Sequence, residues 1–177
     1  MSASKLVRPD VRYKDSVIEA LYEYHTEGRY KHISPGYLQE NFEEFIEMLR
    51  TERRMLHKPC QEWVEIVPET VLWLVKDDIY IGSVEIRHRL NWHLEKWGGH
   101  LHFQIRPSLR GKGFGKKILR KALPIAHHLG IDKALVTIAP DANRAAHIIE
   151  SQGGEFWDET PATDCFPSRK RFWVACG

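Results

Sequence analysis

A chain of 177 residues with 42% hydrophobic and 11% aromatic content can bury a real core and is too apolar to stay disordered. Its formal net charge of +2 is close to neutral, which argues against a global field for nucleic acid or an anionic membrane. No stretch approaches a membrane span and MSASKLVRPD lacks the apolar centre of a signal peptide, so a soluble cytoplasmic protein is expected.

In chain order, KLVRPD reads as a short edge strand. From Lys14 to about Glu27, Val17, Leu21 and Tyr24 recur at helical spacing, and Leu38, Phe42, Phe45 and Leu49 repeat the pattern. Pro59 and Pro68 punctuate the chain, and after Pro68 the period changes. VLWLV is a continuous apolar run, typical of a strand covered on both faces. IYIGSVEIRHRL alternates, but its phase shifts at Gly82-Ser83, which predicts a bulge there. HLHFQI alternates strictly, with Leu101, Phe103 and Ile105 on one face and His100, His102 and Gln104 on the other.

A helical pattern returns with Ile118, Leu119, Ala122, Leu123, Ala126 and Leu129, closed by Gly130. Pro124 inside it is expected to kink or break the helix. ALVTIA is a further strand, Asn143 to Gln152 a short helix, and EFWDE and RFWVA two last strands. The order predicts a mixed α/β fold around one sheet. Cys60, Cys165 and Cys176 are far apart, lack metal spacing and read as free thiols of a reducing compartment.

The stretch RPSLRGKGFGKKIL concentrates three glycines and a run of cations between an alternating strand and a helix start. Gly111, Gly113 and Gly115 let a ligand approach the backbone, while free N–H groups and the helix dipole favour an anion. Arg110, Lys112, Lys116 and Lys117 add positive charge. A phosphate fits this site, yet neither common phosphate motif does. Lys116 is followed by Lys117 rather than Ser or Thr, and the glycine spacing is G-x-G-x-G rather than G-x-G-x-x-G.

RGKGFG resembles R/Q-x-x-G-x-G/A, the acetyl-CoA pyrophosphate loop of the GNAT superfamily of N-acetyltransferases. PDANRAAHIIESQGGEF is similar to the family's second segment, and the resemblance covers about Val71 to Phe156. It implies a GNAT-like central, mostly antiparallel twisted sheet with a parallel splayed pair, flanked by helices. Residues 1–177 would form one domain, with 1–68 a variable helical acceptor-side region and 69–177 the acetyl-CoA-binding core. The resemblance further implies that Arg110 and the backbone of Gly111, Lys112, Gly113, Phe114, Gly115 and Lys116 hold the pyrophosphate. Ile105 would pair its backbone with the pantetheine arm, and Asn143 would contact that arm near its sulfur. Capping of its own helix is the other reading of Asn143.

Acetyl transfer needs a neutral amine, hence a base, and a way for the coenzyme thiol to leave. The family's usual Tyr acid is absent, and counting along the helix gives Glu150 instead. The family's usual Glu on the strand before the loop is absent too, leaving His102 as base and Glu85 as the other candidate. Arg87 and Arg89 share a strand face with Glu85 and could clamp an acidic acceptor or merely face solvent. Trp92 and Trp97 line a pocket or pack.

The sequence reading is therefore an acetyl-CoA-dependent N-acetyltransferase acting by direct attack in a ternary complex. Its acceptor would be a small-molecule or peptide amine, with no metal, nucleic acid or membrane partner and with a homodimer left open. The alternatives are a catalytically weak acyl-CoA-binding module and transfer of a longer acyl group.

Overall fold

A computed structural model describes residues 2–51 and 65–177. Cys60, Trp63 and Pro59 lie outside these residues. In chain order the elements are β1 Lys5–Val7, α1 Lys14–Thr26, α2 Pro35–Arg50, β2 Glu69–Lys76, β3 Ile79–Arg87 and β4 Leu101–Ile105. They continue with α3 Phe114–His128, β5 Lys133–Ile138, α4 Asn143–Ser151, β6 Glu155–Thr160 and β7 Arg169–Ala175. The strands form one sheet in the order β1-β2-β3-β4-β5-β7-β6. Every neighbouring pair is antiparallel except β4 with β5.

Helices cover both faces. Ile118, Leu119, Ala122 and Ala126 of α3 and Ile149 of α4 pack on Leu72, Leu74, Val84, Ile86, Leu101 and Val136. On the opposite face Leu21 and Tyr24 of α1 and Leu38, Phe42 and Ile46 of α2 pack on Val71, Trp73 and Val75. This division explains the VLWLV run: successive residues from Val71 to Val75 enter different cores, so all five are apolar. Each such aliphatic side chain contributes roughly 1.5–3 kcal/mol by leaving water.

The register between β2 and β3 slips between Leu74 and Val75, which face Gly82 and Tyr80. Ile81 is thus the extra residue, one position before the bulge that the alternation predicts. A Cβ on Gly82 would stand 2.2 Å from the Gln104 carbonyl, so the glycine is required by the close approach of β4.

Two expectations are corrected. Helix α3 continues through Pro124 to His128, while the non-helical residue lies in α2, at Asn41 with φ −122° and ψ 33°. Cys165 is disulfide-bonded, whereas Cys176 is a free, buried thiol. That bond removes the argument from free thiols for a reducing compartment. Among the described residues no helix is long and apolar enough to cross a membrane.

Candidate active site

The site is built where the two parallel strands part. Arg87 N–H donates to the His100 carbonyl at 2.7 Å and Arg106 N–H to the Ile81 carbonyl at 2.8 Å. These bonds fix the ladder phase: His102, Gln104 and Arg106 turn their backbone groups to β3, whereas His100 gives β3 only its carbonyl and donates its N–H to the Leu135 carbonyl of β5 at 2.7 Å. Leu101, Phe103 and Ile105 therefore turn theirs to the β5 side. There, β5 is in register with β4 only at Leu101, opposite Val136. Past Leu101 the strands diverge, and the backbone of Phe103 and Ile105 faces the opening.

Beside this opening, Gly111 and Gly113 adopt φ of 76° and 83°, a left-handed conformation that L side chains rarely tolerate. A Cβ on either would meet nothing within 4 Å, so the loop borders open space. Gly113 is the N-cap of α3, and the first N–H to bond back to it is that of Lys117, at 3.2 Å. The amides of Phe114, Gly115 and Lys116 consequently have no partner within the helix and form an anion nest at its positive end. Gly115 has a different reason to be glycine. A Cβ there would come within 2.5 Å of Ile148 Cδ1, so it lets α3 and α4 approach closely.

Lys112 and Lys116 stand exposed beside the nest. Arg110 differs. Its guanidinium forms a two-pronged pair with Glu27 at 2.6 and 3.1 Å and donates through Nε to the Ile105 carbonyl at 3.1 Å. Glu23 of α1 similarly holds Arg106 at 2.7 Å and the Ser108 amide at 2.9 Å. That bonding holds the Glu23 carboxyl below its usual range against the opposing effect of burial, which is the largest single influence on it. Arg110 thus ties α1 to the loop, its guanidinium engaged by Glu27 and the Ile105 carbonyl rather than standing free beside the nest.

Asn143 is the first residue of α4, whose N-cap is Ala142 without a side-chain cap bond. Its side chain is exposed and makes no hydrogen bond among the described residues. The capping reading is excluded, and the amide is available to a ligand. Glu150 occupies the outer side of α4 with its side chain 54% exposed, near His147 at 4.0 Å. Its ion-pair neighbour is His147 of the same helix, and no contact among the described residues ties it to the strand opening.

The face of β3 and β4 toward α1 and α2 carries Ser83, Glu85 and Arg87 opposite Gln104, His102 and His100. Glu85 and His102 are direct cross-strand partners. The candidate clamp of Arg87 and Arg89 does not form. Arg87 is 7% exposed, lies 3.7 Å from Glu69 and 3.8 Å from Glu85, and donates to the carbonyls of Gly98 and Gly99. Arg89 is half exposed and paired with Glu65 at 2.5 Å. His100 is buried and accepts the Leu135 N–H on Nδ1 at 2.9 Å. Burial, followed by the nearby Arg87 charge, pushes its pKa down to about 4. His100 is therefore a structural residue. Trp97 packs, stacking on Phe166 at 4.5 Å between ring centroids, with Trp92 at its edge.

Three residues of this face escape the sequence reading. Tyr30, with φ 55°, donates its hydroxyl to Gln104 Oε1 at 2.6 Å, and Arg29 donates to the same oxygen at 3.0 Å. Gln104 in turn reaches Ser83 Oγ at 3.2 Å. Across the opening, Arg169 donates to the Thr137 carbonyl at 2.8 Å. None belongs to a motif; only a tyrosine in a left-handed turn is unusual, and that is invisible without coordinates.

The comparisons agree with this geometry. The family model described as Acetyltransferase (GNAT) domain matches residues 11–155. No curated protein matches. Among solved structures, a microcin self-immunity acetyltransferase in complex with acetyl-CoA and AMP superposes with TM-score 0.68 at 10% identity, covering 99% of this chain and 93% of that one. A spermidine N-acetyltransferase chimera from Vibrio cholerae and hSSAT gives TM-score 0.63 at 16% identity, covering 99% and 96%. An aminoglycoside acetyltransferase in complex with coenzyme A and kanamycin gives 0.63 at 14%, covering 98% and 95%. The strand opening, the glycine nest and the family match lead to one conclusion: this chain belongs to the GNAT family of acetyltransferases.

Proposed function

We propose that the protein transfers the acetyl group of acetyl-CoA to a primary amine by direct attack in a ternary complex. The observation that carries this reading is the placement of a strand edge that β5 leaves unpaired past Leu101, running from Phe103 to the Ile105 amide, beside an anion nest at the start of α3. An extended chain bearing amides fits the edge and a pyrophosphate fits the nest, so the residues suit acetyl-CoA. Bound there, acetyl-CoA supplies an activated acyl carbon and a thiol leaving group.

In this proposal the amides of Phe114, Gly115 and Lys116, with Lys112 and Lys116 side chains, hold the pyrophosphate. Phe103 and Ile105 pair with the pantetheine arm, and the Asn143 amide fixes it near the sulfur. The Phe103 N–H aims at the acetyl oxygen and stabilises the negative charge that develops on it. His102 accepts the proton that the attacking amine must lose, with Glu85 across the strand from it. No side chain is assigned to protonate the departing sulfur, because a thiolate with a free pKa of about 8.5 leaves adequately by itself. Residues 1–68 wall the acceptor side and 69–177 bind the coenzyme, as one domain.

The acceptor in this reading is a small amine, as spermidine and kanamycin are for two of the similar enzymes. Amine-dependent release of free thiol, with the acetylated amine recovered, tests the proposal. Binding of acetyl-CoA with no such release from a broad amine panel would favour a coenzyme-binding module instead.

A further inference from the structure

Arginines near the opening are mostly neutralised. Arg87, Arg106, Arg110 and Arg171 each stand within 3.8 Å of a carboxylate. Two on the acceptor face have none among the described residues. Arg169 is half-buried and is held by the Thr137 carbonyl at 2.8 Å and the Thr137 hydroxyl at 3.4 Å. Arg29 is held by Gln104 Oε1 at 3.0 Å and by the rings of Tyr24 and Tyr30, each 5.3 Å from its guanidinium carbon. Every one of these direct partners is neutral, so neither cation has a carboxylate in contact among the described residues, and both retain unused N–H donors.

Their position gives this a meaning. Gln104 shares its β4 face with His102, because both alternate with the core residues Leu101 and Ile105. Thr137 alternates with the core residues Val136 and Ile138 and so presents to the same side of β5. Arg29 and Arg169 therefore approach the opening from opposite strands, on the side where the amine must enter. A partly desolvated guanidinium without a counter-charge is unfavourable in a finished structure. Burial, and then the nearby Arg87 charge, already push Arg169 below its ordinary pKa. A bound anion removes that cost.

We propose that the acceptor is an amine that also carries an anionic group, a carboxylate or a phosphate, which Arg169 binds with Arg29 as the second cation. The inference rests on the acetyl-transfer reading above and names its substrate class. It replaces Arg87 and Arg89, whose charges are engaged elsewhere.

Matched amines test it: lysine against cadaverine, and phosphoethanolamine against ethanolamine, each measured by thiol release and by equilibrium binding to the coenzyme A-bound protein. The anionic member of at least one pair should be favoured by about tenfold or more, through KM rather than kcat. The pair that shows the preference identifies carboxylate or phosphate. Arg169→Gln should bring the ratio toward one, and Arg169→Lys should restore part of it; Arg29→Gln serves if the Arg169 variants fail to fold. Equal or better use of the amines without the anionic group by the wild type would overturn the proposal. So would an Arg169→Gln protein that loses affinity for acetyl-CoA instead of for the anionic amine. Preferential binding without turnover would leave the anion site standing and remove the acetyl-transfer reading, so the two failures are distinguishable.

Discussion

The Leu135 amide donates a hydrogen bond of 2.9 Å to Nδ1 of His100, one residue before the rung of Leu101 and Val136 at which β4 and β5 part. Accepting that bond requires the ring nitrogen to be unprotonated, and burial makes a charged ring costlier still. The folded pKa of about 4 lies below the free histidine value, so the unfolded chain takes up a proton first as pH falls. Stability is unaffected by His100 above about pH 6.5, declines between about 6.5 and 4, and levels off below.

This pH window is measurable. His100→Asn offers an acceptor for the Leu135 amide without a titrating ring. Urea unfolding at neutral pH and at about pH 5 should show the wild type losing about 2 kcal/mol more than the variant. Parallel losses in both proteins would mean that His100 is not held neutral.

Packing at the glycine loop makes a second prediction. A Cβ on Gly115 would stand 2.5 Å from Ile148 Cδ1, so any larger residue forces that side chain to shift. Gly115→Val should destabilise the protein by about 1–3 kcal/mol through overpacking between α3 and α4. Adding Ile148→Ala should recover part of the loss in thermal midpoint, because the two changes act on one contact. Strictly additive effects would argue that the glycine serves only the backbone.

Much of this architecture was legible in the chain because its signals are local. The glycine-rich strand-to-helix turn, the strict alternation of β4 and the two-core pattern of β2 each need only a few neighbouring residues. The misreadings share a cause as well. Arg87 and Arg89 looked free because Glu69 and Glu65, which neutralise them, are 18 and 24 residues away in sequence and adjacent only after folding. Arg110 reads as a free cation in the sequence because its partner, Glu27 at the end of α1, is remote in the chain. Tyr30, Arg29 and Arg169 carry no motif, and their meeting with Gln104 and Thr137 is a tertiary event. Pro124 was expected to break a helix whose buried face, from Ile118 to Ala126, holds it together.

The proton path gives a third prediction. If His102 receives the amine proton, kcat/KM should rise with pH through the range where histidine titrates. His102→Gln should flatten that limb and cost on the order of a hundredfold near neutral pH, with acetyl-CoA affinity retained. At alkaline pH more of the amine is already neutral, so the variant should regain part of its rate. An unaltered pH profile would move the role to Glu85 or to water.

The most direct test of the account is a calorimetric titration of acetyl-CoA into the wild type and into Gly113→Asp. Gly113 holds φ 83° at the N-cap of α3, where a carboxylate would bring a side chain into the open loop and a negative charge to the anion nest. The account predicts stoichiometric binding to the wild type and a loss of at least about a hundredfold in affinity for the variant, with its thermal unfolding still cooperative. A wild type that does not bind acetyl-CoA, or a folded variant that binds it equally well, would contradict the assignment of the nest to the coenzyme.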